Sequence, residues 1–184
     1  MLRRLLMAAA AGPSGNIDNF DADSRASYTQ YAETAVTLSI SGGALTASGG
    51  SGNQSVIARN GATFLNGEVG CEVRQANDAG LALRVQDKNN YILAAIFDSL
   101  SGAPNRVVLY SRVSGAFSQI ATATVDFPRG VKRRFTFAIA GTSAVVRMDG
   151  ATVLTATVTT NTAPGMCGMR CNAGVQIFDS FTWP

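Results

Sequence analysis

From residue 17 onward the chain alternates. Short runs of Val, Ile, Leu, Phe and Thr carry apolar side chains at every second position, and Gly, Asn, Asp and Ser clusters break them about every 8–15 residues. A period of two sends one face of each run to a core and the other outward, the mark of a half-buried strand. Leu81, Leu83 and Val85 form one such row opposite Arg84 and Gln86; Tyr91, Leu93, Ala95 and Phe97 form a second; Phe135, Phe137 and Ile139 oppose Arg134 and Thr136. Beyond residue 16 no segment sustains a 3.6-residue apolar period, and Gly or β-branched residues interrupt each stretch that could begin a helix. Such a chain is all-β.

Turn chemistry sets the boundaries. Asn77-Asp78-Ala79-Gly80, Asp87-Lys88-Asn89-Asn90, Ser114-Gly115 and Asp149-Gly150 read as turns. Asp149-Gly150 is the clearest, because it offers the positive φ angles of a two-residue hairpin between two alternating runs. Strands are predicted near 17–20, 36–40, 43–48, 54–59, 67–76, 79–86, 90–98, 105–113, 116–125, 131–140, 143–148, 151–158, 165–171 and 175–183. An antiparallel two-sheet β-sandwich of the jelly-roll type buries that many amphipathic strands most economically. The first strand, near Phe20, is expected beside the last, near Phe178–Trp183, since both carry an Asp-rich, Phe-bearing edge pattern. With 184 residues, 46% of them hydrophobic, the chain can bury a full core as one domain over residues 16–184.

Charge and residue usage exclude several functions. Only 15% of the side chains are charged, against roughly 25% in an average soluble domain. The net charge of +3 is thinly spread, so the dense cationic face that nucleic acid requires is not expected. The chain has no His, which removes the Ser-His-Asp triad, the Cys-His pair and the commonest ligand of catalytic zinc. Three cysteines cannot form a complete intramolecular set, and on a flat strand Cys167 and Cys171 stand about 13 Å apart, too far to bridge. All three are expected reduced and buried.

Residues 1–15 differ from the rest. Arg3 and Arg4 precede seven apolar or small residues, Leu5 to Ala11, which imitates a secretory signal but is far below the roughly 20 residues of a membrane span. A cleaved signal, a disordered tail and a docking arm are open readings. The arm is favoured, with Leu2, Leu5, Leu6 and Met7 buried against another subunit, because a monomer starting ten residues later cannot hide so long an apolar run.

The order of parts also resembles a known superfamily. Ile17-Asp-Asn-Phe20-Asp-Ala-Asp, then Gly67-Glu-Val-Gly-Cys-Glu-Val, Ala79-Gly-Leu-Ala-Leu-Arg-Val, Lys132-Arg-Arg-Phe-Thr-Phe, Gly165-Met-Cys-Gly-Met-Arg and the closing Phe178-Asp-Ser-Phe-Thr-Trp resemble the concanavalin A-like lectin/glucanase domains in their laminin-G-like jelly-roll form. The whole chain, with its apolar start ahead of an Arg-over-Lys, Ala/Gly-rich sandwich, looks like minor tail or other virion proteins of tailed bacteriophages. That likeness implies a non-enzymatic virion structural or adhesion subunit, assembled in the host cytoplasm in multiple copies and joined to other virion proteins by its arm. A capsid decoration protein, a secreted carbohydrate-binding module and, last, a carboxylate glycosidase are the alternatives.

Individual residues carry these alternatives. Glucanases of this kind use Glu-x-Asp-x-Glu on one strand; here the nearest match is Glu68-Val-Gly-Cys-Glu72, with Gly70 in the Asp position. On a flat strand Glu68 and Glu72 stand about 13 Å apart, beyond the roughly 5–5.5 Å of a retaining pair, and Glu33 is the one other Glu. No catalytic residue is therefore assigned. Asp18, Asp21 and Asp23, and Asp87 with Asn89 and Asn90, are oxygen-rich enough to consider for calcium, but each reads first as an Asx turn. No metal and no cofactor is assigned. Glycan binding on a jelly roll uses an aromatic ring flanked by polar side chains, which selects Tyr91, Tyr110, Tyr28 and Tyr31 with Arg84, Asn89, Asn90 and Arg112; Tyr91 and Tyr110 also read as half-buried strand residues. Trp183 is expected to pack on the sandwich or a neighbour, and Lys132-Arg133-Arg134 to be the solvated start of a strand.

Overall fold

The computed structural model describes residues 15–50, 54–98, 104–172 and 174–184, with Asn77 described in its backbone alone. The proposed arm, Leu2, Leu5, Leu6 and Met7 included, lies outside the described residues. Those described form fifteen strands: β1 (Asn16–Asp18), β2 (Tyr28–Ala32), β3 (Thr37–Ser41), β4 (Ala44–Gly49), β5 (Ser55–Phe64), β6 (Gly67–Gln75), β7 (Asn77–Asp87), β8 (Asn90–Phe97), β9 (Arg106–Val113), β10 (Ala116–Thr124), β11 (Arg133–Ala140), β12 (Ser143–Met148), β13 (Ala151–Thr157), β14 (Gly165–Cys171) and β15 (Gly174–Trp183). A single 3-10 turn, Arg25–Ser27, is the one helical element among them. One sheet runs β13-β12-β11-β6-β15-β4-β3 with β1 added against β15, and the other runs β10-β9-β8-β7-β14-β5-β2. All pairings are antiparallel, so the fold is the expected two-sheet jelly-roll sandwich.

On β11 alternation places Phe135, Phe137 and Ile139 in the core as the sequence pattern required, but β8 is apolar on both faces and turns Ile92, Ala94 and Ile96 inward, leaving the expected row Tyr91, Leu93, Ala95 and Phe97 on the outer face. Phe20, Phe127, Phe135, Phe137, Phe178 and Phe181 are all 0–1% exposed between the sheets. The first and last described strands meet as expected, with Asn16 opposite Trp183 and Asp18 opposite Phe181. The Asp149-Gly150 hairpin forms with φ of 50° and 82°, and Met148 pairs directly with Ala151. Trp183 stacks on Phe181 at 5.6 Å and lies under the Arg59 guanidinium at 4.7 Å. Cys71, Cys167 and Cys171 are free thiols with no exposed surface. Burial pushes Cys167 and Cys171 up to about 12, and Cys71 in the same direction.

Two further local expectations fail for identifiable reasons, and β2 is a strand the sequence pattern did not predict. Asn77–Gly80 is not a turn. Ala76 is where the chain passes from β6 in one sheet to β7 in the other, and a bulge with Asp78 at φ 54° absorbs the bend. The row Leu81, Leu83, Val85 is broken at Arg84, whose φ of 53° resets the alternation; Leu81 and Leu83 face the core while Val85 turns to the outer face with Ala82. Strand β2 carries no apolar alternation. Its inward Gln30 instead exchanges two hydrogen bonds of 3.1 Å with the backbone of Val36, standing in for a neighbouring strand.

Candidate functional site

A sheet face turned away from the core is expected to be wet, yet on the outer face of the seven-stranded sheet Val56, Ala58, Ala82, Leu93 and Ala95 are 0–1% exposed. Register explains this. One row across the sheet reads Tyr110, Leu93, Ala82, Gly168, Ala58, and the next reads Val108, Ala95, Gly80, Arg170, Val56, Tyr31. Small residues fill much of both rows, Ala82, Gly168 and Ala58 in the first and Ala95 and Gly80 in the second, with Leu93, Arg170 and Val56 the larger members between the ends. A Cβ at Gly168 would lie 2.2 Å from the Ile57 carbonyl oxygen, so the backbones there approach as only glycine permits. This low floor is roofed from both sides by longer side chains: Tyr31 and Met166 on one flank, Tyr110 and Phe117 on the other.

Phe117, on edge strand β10, is 38% exposed. Its ring meets Tyr91 and Tyr110 edge-on at 6.0 and 5.8 Å, and the guanidinium carbons of Arg112 and Arg170 lie 4.8 and 5.7 Å from its centroid. Both arginines are tethered. Arg112 donates to the Gly115 carbonyl, the Tyr91 hydroxyl and Glu33 at 3.1–3.3 Å. Arg170, 2% exposed, is paired with Asp78 at 2.7 Å and also donates to the Asp78 carbonyl, while Asn172 donates to the other carboxylate oxygen. Gln54, Asp78, Tyr110, Phe117 and Arg170 line a solvent-open cavity of about 180 Å³. Burial raises the Tyr110 phenol above its ordinary range, and nearby Asp78 adds to this, so the hydroxyl stays a neutral donor. A ring face beside a carboxylate, a guanidinium, an amide and a phenol is a set that can hold a polyhydroxylated ligand.

The structure gathers some of the sequence candidates and disperses others. Tyr91, Tyr110 and Arg112 come together around Phe117, with Tyr91 buried beneath it and Tyr110 half-buried, as their strand positions implied. Tyr31 stands on the opposite flank, its hydroxyl 3.9 Å from the Met166 sulfur. Asn89 and Asn90 lie in the β7–β8 turn. The Asn90 amide is occupied, donating to Asp87 and accepting from the Ser114 backbone. Arg84 leaves the set altogether: 2% exposed, it donates to the carbonyls of Leu65, Gly141 and Asn161 and ties three loops together. Tyr28 faces the core and donates to Asp18. Phe117, Arg170, Asp78 and Gln54 were not singled out from sequence. The available signal was a large aromatic in the otherwise small and polar run Ala116–Gln119.

The carboxylates considered for other chemistry are engaged elsewhere. Glu68 and Glu72 alternate with the buried Val69 and Cys71 of β6 and so share the outer face of the other sheet. There Glu68 pairs with Arg147 at 2.8 Å, and Lys132 pairs with both Glu72 and Asp179. The Arg134 side chain lies over Gly70, where a Cβ would come within 2.6 Å of it. Arg133 begins β11 and bridges Asp149 and Asp126. Asp18, Asp23 and Asp87 each accept the backbone amide two residues on, as Asx turns do. Among the described residues no cluster of three metal-ligating side chains forms, and no helix is long and apolar enough to cross a membrane.

Comparison with known proteins sharpens the fold. No protein-family model and no curated protein matches the sequence. Solved structures do. The carbohydrate binding module CBM66 from Bacillus subtilis is 15% identical over 85% of this chain and 94% of its own, with a TM-score of 0.70. A Bacillus subtilis protein of unknown function with a galectin-like fold is 10% identical over 91% and 94%, at 0.64. A Bacillus licheniformis β-glucanase is 12% identical over 95% and 98%, at 0.66. The likeness is one of fold. The chain is a concanavalin A-like, galectin-like β-sandwich, and at these identities the neighbours' activities do not transfer with it.

Proposed function

We propose that this chain is a non-catalytic carbohydrate-binding module whose site is the outer face of the seven-stranded sheet. Phe117 is the ring on which a sugar stacks, and Asp78, Gln54, Tyr110 and Arg170 meet its hydroxyls. The observation that carries this reading is the exposed Phe117 ring at the mouth of a 180 Å³ cavity lined by those four polar side chains. The shared sandwich of CBM66 supports it. A glycan array followed by titration calorimetry tests it: Phe117→Ala is expected to weaken binding at least tenfold while the fold persists, and unchanged binding would reject the site.

The non-catalytic half of the proposal is supported by the cations that hold Glu68 and Glu72 and by the Arg134 side chain over Gly70. Glu68→Gln and Glu72→Gln are expected to change no activity on β-glucan or xyloglucan, because the wild type has none. Measurable hydrolysis lost in either variant would restore the glycosidase reading.

The setting we propose is attachment of a particle to a glycan surface, in a virion tail subunit or a capsid decoration, where many copies turn weak contacts into avidity. Its support is the apolar run Leu5–Ala11; no structural neighbour points to a virion, and a secreted module accounts for the fold equally well. Amino-terminal sequencing of the native protein separates them: a retained Met1 on a particle fits the first, and a start beyond residue 12 in free protein fits the second.

A further inference from the structure

We infer that this chain pairs with a second copy of itself through β10, an edge strand of the seven-stranded sheet. The inference stands apart from the proposed glycan site. Residues 116–125 include no charged residue and no Pro, the devices that ordinarily keep an edge from pairing. On the opposite rim, by contrast, the Leu38 carbonyl of edge strand β3 is taken by the Arg25 guanidinium. The Val125 amide donates to the Asn105 carbonyl, and Ala123 and Ala121 follow in the same register opposite Val107 and Leu109. Bonded and unbonded pairs alternate along an antiparallel ladder. Thr122 and Thr124, opposite Val108 and Arg106, therefore turn their main-chain N–H and C=O away from β9. Among the described residues no group bonds them there; the Thr122 hydroxyl itself reaches back to the Val107 carbonyl.

This stretch is its own complement. A two-fold axis beside Ala123, normal to the sheet, sets Thr122 of one copy opposite Thr124 of the other and Ala121 opposite Val125. Thr meets Thr on the outer face, a favourable cross-strand pair. Ala meets Val on the core face, where Ala121, Ala123 and Val125 are each half-buried at the margin of the core. The outward main-chain groups of Thr122 and Thr124 bond each other in this register, whereas a shift by one residue would aim them at groups already used by β9. Edge strand β13 repeats Thr-Ala-Thr-Val at 155–158. There Leu154 and Val158 are already buried within the one copy, so pairing would remove less new apolar surface from water. The bulge at Ile120 confines the contact on β10 to its second half and leaves Phe117 outside it. So short a contact lies at the weak end of specific interfaces. It joins the two seven-stranded sheets into one and turns their outer faces to the same side.

Sedimentation of the full chain between about 10 µM and about 1 mM, the range suited to so small an interface, is expected to show a reversible monomer–dimer equilibrium. Pro removes an outward N–H at a sheet edge without touching the inner ladder. Thr124→Pro should therefore weaken association about tenfold or more with an unchanged circular dichroism spectrum, and Thr157→Pro, the equivalent change on β13, should leave it intact. Facing residues of an unbonded pair bring their Cα atoms to about 4.5 Å, within disulfide reach, so Ala123→Cys should cross-link two copies under mild oxidation. Thr122→Cys, which faces Thr124, should not. A chain that stays monomeric at about 1 mM, a dimer indifferent to Thr124→Pro or broken by Thr157→Pro, or equal cross-linking of the two cysteine variants overturns the pairing.

Discussion

The guanidinium of Arg170 on β14 lies 5.7 Å from the ring centre of Phe117 on β10, although three strands separate the two in the sheet. Beneath the span β7 and β8 present Gly80, Ala82 and Ala95 with Leu93 as their one large side chain, while Tyr110 on β9 stands against Phe117 itself. The contact crosses the outer face and forms one wall of the depression lined by Gln54, Asp78, Tyr110, Phe117 and Arg170.

Asp78 is the brace of this contact, and its removal should be costly. Taking one partner from a buried ion pair leaves an uncompensated charge, worth about 3 kcal/mol here. Asp78→Ala is therefore expected to lower the melting temperature by roughly 6–12 °C for a domain of this size. A shift below about 2 °C by calorimetry would show that solvent, not Asp78, balances Arg170.

Arg84 makes the complementary case at the end of the sandwich. Three loop carbonyls depend on its guanidinium, and its burial disfavours the charged form. Arg84→Met keeps the bulk but orphans those carbonyls, at a cost of about 3 kcal/mol. The proposed glycan binding should be unaffected at temperatures where the variant is folded. Loss of binding by a folded Arg84→Met protein would contradict its placement away from the site.

Glycine substitutions should divide by what the new Cβ meets. At Gly80 it would lie 2.0 Å from the Ala94 carbonyl oxygen and at Gly168 2.2 Å from that of Ile57, both rigid backbone. At Gly70 the nearest atom, at 2.6 Å, is the far end of the Arg134 side chain, which can swing aside. Gly80→Ala and Gly168→Ala are expected to cost about 3 kcal/mol or more, and Gly70→Ala under about 1 kcal/mol. Equal midpoints for the three variants in urea unfolding would be the contrary result.

Stability should be flat near neutrality and fall on the alkaline side. The chain has no His to titrate between pH 5 and 8. The buried thiols sit above their ordinary value of 9.0, two of them at about 12. A group whose folded pKa is raised contributes stability that is intact below its unfolded pKa and is lost as pH climbs toward the folded one. The slope from pH 9 upward is roughly 1.4 kcal/mol per pH unit for each such thiol. Tyr28, raised chiefly by burial, acts in the same direction at higher pH. On the acid side Asp87, lowered first by its hydrogen bond from Asn90, contributes stability lost as pH falls below its ordinary value of 3.8. A melting temperature level from pH 8 to 11 would refute the thiol assignment, as would fast alkylation of the native protein at pH 8.

The amino-acid sequence by itself determined the fold class, most of the strands and the inward face of those apolar on one side alone, such as Phe135, Phe137 and Ile139. Those are local consequences of a period of two, and Asp149-Gly150 needs no distant residue to make its turn. The meeting of Asn16–Asp18 with Phe181–Trp183 was legible as well, because both segments carry edge patterns that want a partner. Tertiary structure alone decided the site. Arg170 stands beside Gly80 because β14 slots between β7 and β5, a pairing across about ninety residues of chain that no local pattern encodes. The same sheet order made Phe117 a roof. Arg84 left the expected set because a left-handed backbone at a non-glycine residue, imposed by the bulge before Asp87, aimed it at three loops that meet only in the folded sandwich. Alternation tells a side chain which way to point; only the register of the assembled sheets tells it what it will find there.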